Sequence, residues 1–266
     1  MRIIAEGDSW FLYMVGRALI DHLEQKLDIN ILNLAFPGDE VGGMMSGKQR
    51  QRLVRELKKG AAAGKKFEFL LFSGGGNDLV GAETFYKWLL PWVPGTSDLK
   101  NTINWTTFNA MLEILSIGYQ DVIDIRDQVS PDTVLVFHGY DFAPPNGKGV
   151  CGLGPWLEPG LEQRNIPKSY RAEVVKLFLA HFDQWLRGFA ASNHNIVVVP
   201  TQGTLTPQEW ANELHPGNRG FAKIAARFVV SMFGADAPGE GRVELTAGGR
   251  ARRTVRRHGS SVLGTV

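Results

Sequence analysis

The sequence predicts an α/β fold, a three-layer α/β/α sandwich around a five-stranded parallel sheet. Short apolar segments alternate with amphipathic helical segments along most of the 266 residues, which is the pattern of parallel strands joined by helical crossovers. The segment 67–72 is apolar throughout, as is typical of a strand that helices cover on both faces. The sequence shows no internal repeat and no second hydrophobic core. We therefore expect one domain of the flavodoxin-like kind.

The individual strands and helices follow from the periodicity of the apolar residues. Strand 2–6 opens the chain, and a helix over 10–26 follows because its apolar residues recur near one helical face. The remaining strands are predicted at 29–34, 67–72, 133–138 and 195–199, and the remaining helices at 48–63, 106–128, 169–191 and 218–233.

Two irregular segments, at about 81–104 and 139–167, are predicted to be loop insertions, because they are longer than ordinary loops. Each follows the carboxyl end of a strand, so we expect both to lie over a site at that edge of the sheet. The tryptophans in and beside them form either a wall against a substrate or a satellite hydrophobic cluster; they are Trp88, Trp92, Trp105 and Trp156. The domain is predicted to span 1–233, and the basic, glycine-rich segment 234–266 is expected to be a disordered tail.

Composition limits the classes of function. The formal net charge of +2 is too small to indicate a nucleic-acid partner, and no apolar run approaches the ~20 residues of a membrane span. The single cysteine, Cys151, excludes an intramolecular disulfide, and no spacing is typical of a metal site. We expect no metal and no cofactor. Because the chain opens directly on a strand, without a leader, we also expect a cytoplasmic location; the oligomeric state is not predicted.

A candidate nucleophile follows the first strand. Residues 7–9 read Gly-Asp-Ser, at the predicted junction of strand 2–6 with helix 10–26. This junction would expose the Ser9 hydroxyl at the carboxyl edge of the sheet and set its N–H at a helix N-terminus, which favours negative charge. A nucleophilic serine needs both an exposed hydroxyl and a donor for the oxyanion it creates, although the tripeptide alone is also an ordinary turn sequence.

Further candidates fall at the same predicted edge. Gly38 follows the second strand, Asn77 lies in a glycine-rich turn after the third, and His215 precedes the last helix. Histidine titrates near neutral pH and is the best candidate for the base that a serine hydroxyl needs. The N–H groups of Ser9 and Gly38 and the Asn77 side-chain amide would supply three oxyanion donors, and removing one such donor costs about 10²–10³ in rate.

These four residues, in this order, resemble the markers of the SGNH/GDSL hydrolase family. The matching positions are Ser9 in Gly-Asp-Ser, Gly38, Asn77 in Gly75-Gly76-Asn77-Asp78, and His215. The resemblance covers roughly residues 1–233. It implies the SGNH hydrolase fold and metal-free serine hydrolysis of a carboxylic ester, as in an esterase, lipase-like enzyme or deacetylase. The partner implied is a small-molecule, glycan or lipid ester.

One position departs from that family pattern. The family usually has Asp three residues before the histidine, whereas this chain has Asn212. Three interpretations stay open: Asn212 orients His215, another acid serves His215, or the site is a weakened or inactive binding module. The candidates for another acid are Asp141, Glu209 and Glu213. An Asn carbonyl oxygen can hold the imidazole in place but cannot stabilise its charged form.

Two aspartates beside the motifs are predicted to support them. Asp8 either caps the first helix or fixes the Ser9 turn, and Asp78 holds the Asn77 loop in shape. His138 and Asp141 follow the fourth strand at the same edge, where they either contact the substrate and tune His215 or are structural polar residues.

Overall fold

A five-stranded sheet lies at the centre of the computed structural model, which describes residues 1–81 and 84–234. Its strands are β1 (Ile3–Gly7), β2 (Leu32–Asn33), β3 (Phe69–Ser73), β4 (Val134–His138) and β5 (Ile196–Val199). Their order is β2-β1-β3-β4-β5, and every adjacent pair is parallel. The prediction of an α/β fold with a five-stranded parallel sheet is confirmed.

Helices cover both faces of this sheet. In β3, Phe69 packs against Phe233, whereas Phe72 packs against Tyr119. Because successive strand side chains point to opposite faces, these two contacts lie in different layers. The helices are α1 (Leu19–Leu27), α2 (Val41–Met44), α3 (Gly47–Ala62), α4 (Gly76–Val80), α5 (Phe85–Trp88), α6 (Trp105–Val129), α7 (Glu158–Gln163), α8 (Lys168–Ala191) and α9 (Asn218–Phe233). Helix α9, which carries Phe233, packs with α1, and helix α6, which carries Tyr119, packs with α3 and α8.

The first helix is much shorter than predicted. The segment 10–18 forms turns and loop, and α1 begins only at Leu19. Gly16 has a φ of +93°, outside the helical region, and the Asp21 carboxylate accepts a bond from the Ala18 N–H at 2.6 Å, which starts the helix there. The chain loops out and returns, since the Leu19 N–H donates to the Trp10 carbonyl at 3.0 Å. The prediction of a helix over 10–26 was therefore wrong for its first half.

The two predicted insertions contain short regular pieces. Helix α5 and a 3₁₀ turn at Leu99–Thr102 lie in the first, and α7 lies in the second. Trp88 is fully buried and packs edge-on against Phe85 and Phe108. Trp88 thus belongs to a hydrophobic cluster and does not face a substrate.

The structure describes only part of the chain for which a disordered tail was predicted. Residues 235–266, nearly all of the predicted basic tail, lie outside the described residues. Among the helices that are described, none combines the length and apolar character needed to cross a membrane.

Glu6 is a buried acid in β1, which lies between β2 and β3 in the sheet. Its side chain is 0% exposed, one carboxylate oxygen accepts the Gly7 N–H at 3.1 Å, and the other has no partner among the described residues. Burial raises the pKa of the Glu6 carboxyl from 4.5 to about 8, because desolvation penalises the charged form. Glu6 is therefore held protonated in the folded protein at neutral pH.

This burial predicts a pH-dependent stability. The folded state holds a proton on Glu6 that the unfolded state releases, so the free energy of unfolding falls as pH rises from 4.5 to about 8. The Glu6 contribution to that slope reaches about 1.4 kcal/mol per pH unit inside this window. Glu6→Gln mimics the protonated form and should remove the contribution, as measured by urea unfolding at pH 5 and pH 8. Glu173→Gln, at an exposed glutamate of α8, is the matched control and should keep the wild-type slope. An unchanged slope in Glu6→Gln would contradict the assignment.

Candidate active site

Ser9 lies in a turn directly after β1. The Asp8 carbonyl accepts the N–H groups of Phe11 at 3.1 Å and Leu12 at 3.2 Å, which closes the turn around Ser9. Because α1 begins only at Leu19, the prediction that Ser9 sits at a helix N-terminus was wrong. The turn still leaves the Ser9 side chain half-buried at the carboxyl edge of the sheet.

Ser9 meets His215 across the sheet edge. The two atoms that face each other, Ser9 Oγ and His215 Nε2, are 2.7 Å apart. On the far side of the ring, His215 Nδ1 lies 2.9 Å from Asn212 Oδ1. The imidazole is thus held between a hydroxyl and an amide oxygen, and Asn212 and His215 are both buried.

The segment before α9 is folded so that Asn212 faces the histidine. Asn212 Oδ1 accepts the backbone N–H groups of Leu214 and His215, each at 2.9 Å. An amide oxygen that already accepts backbone donors must also accept from the ring, so His215 Nδ1 carries the proton. The other ring nitrogen, Nε2, is then unprotonated and accepts the Ser9 O–H. A neutral side chain fixes the tautomer in which Nε2 can act as a base.

Burial also keeps this histidine neutral. Desolvation lowers the pKa of the His215 imidazole to about 4, because the charged ring would lose its hydration. At neutral pH His215 is therefore an uncharged acceptor for the Ser9 proton.

Tyr13 completes the surroundings of His215 and was missed by the sequence reasoning. Its ring stacks on the imidazole with centroids 4.4 Å apart, and its hydroxyl accepts the Asn212 Nδ2–H at 3.1 Å. This second bond fixes which way the Asn212 amide points. The predicted helix over 10–26 included Tyr13 without giving it a role, and no motif marks it in the sequence.

The other acids that were considered for His215 are engaged elsewhere. The Glu213 carboxylate accepts four backbone N–H groups of the second insertion, at Gly147, Trp156, Leu157 and Glu158. Asp141 accepts the N–H groups of Phe142, Gly203 and Leu205, and Glu209 bonds with Thr206 and Lys223. Glu213 thus anchors the insertion that carries Trp156, whose ring stands edge-on to His215 at 5.9 Å.

The two loops that carry the other oxyanion candidates are joined to each other. Asn77 Nδ2 donates to the carbonyl of Asp39, the residue after Gly38, at 2.8 Å. This bond uses one of the two amide hydrogens. Gly38 has a φ of +86°, which favours glycine because a Cβ would strain this conformation. The Asp78 carboxylate accepts the Val41 N–H at 3.2 Å and so connects the segment after Gly38 with the segment that carries Asn77.

Asp8 anchors a buried hydrogen-bond network beneath Ser9. One carboxylate oxygen accepts the Trp10 N–H at 3.0 Å and the Ser73 hydroxyl at 2.8 Å. The other accepts the Tyr140 hydroxyl at 2.5 Å. His138 Nε2 lies 2.9 Å from Ser73 Oγ, and burial lowers the pKa of His138 to about 3. Asp8 therefore fixes the Ser9 turn and does not cap α1, and His138 is a neutral structural member of the network.

Tyr140 extends this network to the Asn77 turn. Its hydroxyl also accepts the Gly76 N–H at 3.0 Å, one residue before Asn77. Burial raises the pKa of the Asp8 carboxyl to about 6, so the network carries one negative charge above that pH. The turn that holds Ser9 and the turn that holds Asn77 are thereby fixed relative to each other.

The residues described by the structure contain no group of three His, Cys, Asp or Glu side chains that could hold a metal ion.

Comparison with known proteins identifies the fold. No family model and no curated protein sequence matches the chain. Among solved structures, an extracellular lipase from Streptomyces rimosus is similar at a TM-score of 0.53 and 14% identity, covering 85% of this chain and 98% of that one. A protein from Parabacteroides merdae described as a GDSL-like lipase is similar at a TM-score of 0.50 and 15% identity, covering 86% of this chain and 94% of that one. The chain has the α/β fold of the SGNH/GDSL hydrolases, as its four motifs predicted.

Proposed function

We propose that this protein is a serine hydrolase that cleaves a carboxylic ester through an acyl-enzyme. The observation that carries the proposal is the 2.7 Å contact between Ser9 Oγ and His215 Nε2, with His215 Nδ1 bonded to Asn212. A serine hydroxyl gains nucleophilicity when a neutral base accepts its proton, and a third group that orients the base completes the arrangement. The ester substrate is a small-molecule, glycan or lipid ester.

In the first half of the reaction, Ser9 Oγ bonds to the ester carbonyl carbon while its proton moves to His215 Nε2. The carbonyl oxygen takes the negative charge, and the N–H groups of Ser9 and Gly38 and the remaining Asn77 amide hydrogen are its proposed donors. As the tetrahedral intermediate collapses, the ester C–O bond breaks and Nε2–H protonates the leaving alcohol. Ser9 then carries the acyl group as an ester.

In the second half, water replaces the alcohol. Nε2 takes a proton from the water as its oxygen bonds to the acyl carbon, and the Ser9 C–O bond then breaks with return of the proton to Oγ. Asn212 keeps its oxygen on Nδ1 throughout, so the ring does not turn between the two proton transfers. The imidazolium formed in each step is held without a carboxylate partner.

A fluorophosphonate probe tests this proposal. The probe phosphonylates serines that a base has activated, so we expect labelling of Ser9, identified by peptide mass spectrometry, together with hydrolysis of p-nitrophenyl acetate. Ser9→Ala should lose both signals, whereas Ser192→Ala, at an exposed serine after α8, should keep both. A folded protein whose Ser9 is unlabelled and that hydrolyses no ester would instead be a binding module on a hydrolase fold.

A further inference from the structure

A small cavity adjoins Ser9, and His215 is not among the described residues that line it. Ser9, Gly76 and Asn77 are part of its lining, and so are Leu79, Leu157 and Leu179. These three leucines are buried side chains from α4, the second insertion and α8. The cavity is therefore lined both by residues that carry proposed oxyanion donors and by apolar side chains of the core.

The cavity is small. Its free volume is about 40 Å³, and a buried water needs about 10–15 Å³, so the space holds about three water-sized groups. An apolar cavity of about 150 Å³ is needed to hold a benzene ring. A carbonyl group with a short aliphatic chain fits the space, whereas a long acyl chain or an aromatic acid does not.

Apart from Ser9 and Asn77, which the reaction uses, the polar side chains Asp141 and Tyr140 of the cavity wall already have partners. The Asp141 carboxylate accepts three backbone N–H groups at 2.6 to 2.7 Å. The Tyr140 hydroxyl donates to Asp8 at 2.5 Å and accepts from Gly76 at 3.0 Å. A charged or hydroxylated acyl group would lose its hydration here without gaining a donor or acceptor, which favours a plain aliphatic chain.

The position of the cavity indicates whether it binds the acyl group or the alcohol group of an ester. The leaving alcohol must lie beside His215 Nε2, which gives it a proton, and His215 is not among the described residues that line the cavity. The acyl half lies beside the oxyanion donors, and Asn77 is part of the lining. The alcohol half then lies outside the cavity.

We infer that this cavity is the acyl-binding pocket of the proposed esterase and limits the acyl group to an unbranched aliphatic chain of about two to four carbons. The inference rests on the proposed function and narrows its substrate class. Leu179 is a large apolar lining residue that we assign as specificity-determining, and Ala143 is a small lining residue where a larger side chain would reduce the space.

The test is an acyl-chain series of p-nitrophenyl acetate, butyrate and octanoate, measured as kcat/KM. We expect the wild-type value for octanoate to be about tenfold or more below that for butyrate, because the extra methylenes find no space. Leu179→Ala should raise octanoate relative to acetate by about tenfold. Leu186→Ala is the matched control, since Leu186 is also a buried leucine of α8 but is not among the described residues that line the cavity, and it should keep the wild-type order.

A second variant keeps the test decisive if Leu179→Ala does not fold. Ala143→Leu should lower butyrate relative to acetate by about tenfold, and unchanged selectivity in this variant would overturn the pocket assignment. Octanoate hydrolysed as well as butyrate by the wild type would also overturn it. Fluorophosphonate labelling of Ser9 separates the two failures: a labelled protein without chain-length selectivity refutes the pocket alone, and an unlabelled, inactive protein refutes the proposed function and the pocket with it.

Discussion

We expect Ser9→Ala and His215→Ala to lower kcat by about the same factor, 10⁴ to 10⁶, for an unactivated substrate such as ethyl acetate. The two side chains share one proton across a 2.7 Å contact, so removing either one removes the same step. The double variant should therefore be no slower than either single variant. Release of acetic acid at constant pH measures the rate without an activated leaving group.

Controls for this prediction come from exposed residues of the same types. Ser192→Ala and His194→Ala, at exposed positions after α8, should keep the wild-type kcat. Unequal losses from the two site variants, with the double variant slower than both, would mean that Ser9 and His215 act independently. That result would contradict the proposed proton transfer from Ser9 to His215.

The alternation of strands and helices was readable from the sequence, because buried parallel strands are short apolar runs and their helical crossovers are amphipathic. The meeting of Ser9, Asn77 and His215 followed from the same topology, since the carboxyl ends of parallel strands share one edge. What the sequence could not predict is the path of the chain after Ser9. The 10–18 segment has helical periodicity, but Trp10 and Phe11 are buried in the core and the chain turns at Gly16.

That error hid the residue that holds Asn212. Tyr13 reaches both His215 and Asn212 only because the segment loops over the sheet edge. The sequence also could not predict which of Asn212, Asp141 and Glu213 orients His215. All three lie near the sheet edge, and only the folded structure shows that backbone N–H groups elsewhere occupy the two carboxylates. Glu213 neighbours Asn212 in sequence, yet its carboxylate binds the second insertion.

The second large effect is expected from Asn212→Asp. A carboxylate at this position stabilises the charged imidazole, and an opposite charge at this distance raises a pKa by about 1–3 units. The acidic limb of the kcat/KM profile reports the free-enzyme pKa of the base. We expect this limb near pH 4 in the wild type, from the pKa of His215, and about 1–3 units higher in Asn212→Asp.

Tyr13→Phe provides the matched control for that shift. It removes the bond between the Tyr13 hydroxyl and Asn212 Nδ2 but adds no charge. We expect a lower kcat, because the Asn212 amide is less firmly oriented, with the acidic limb unmoved. Asp8 titrates in all three proteins, since burial raises its pKa to about 6, so the difference between profiles isolates His215. An acidic limb that stays in place in Asn212→Asp would assign that limb to a group other than His215.

The plateaus of the two kcat/KM profiles then show how the neutral Asn212 side chain affects the rate. A neutral orienter leaves His215 unprotonated down to about pH 4, which keeps the base form available in mildly acidic solution, but it leaves the imidazolium of each transition state without a counter-charge. If stabilising the imidazolium in the transition state matters more for the rate, Asn212→Asp has the higher plateau of kcat/KM above pH 8. Its kcat/KM at pH 5 is then lower than that of the wild type, because more of its His215 is protonated there. Because the same substitution raises the plateau and moves the limb, the two profiles should cross between these pH values. A variant slower at every pH would show that the site requires a neutral group beside His215.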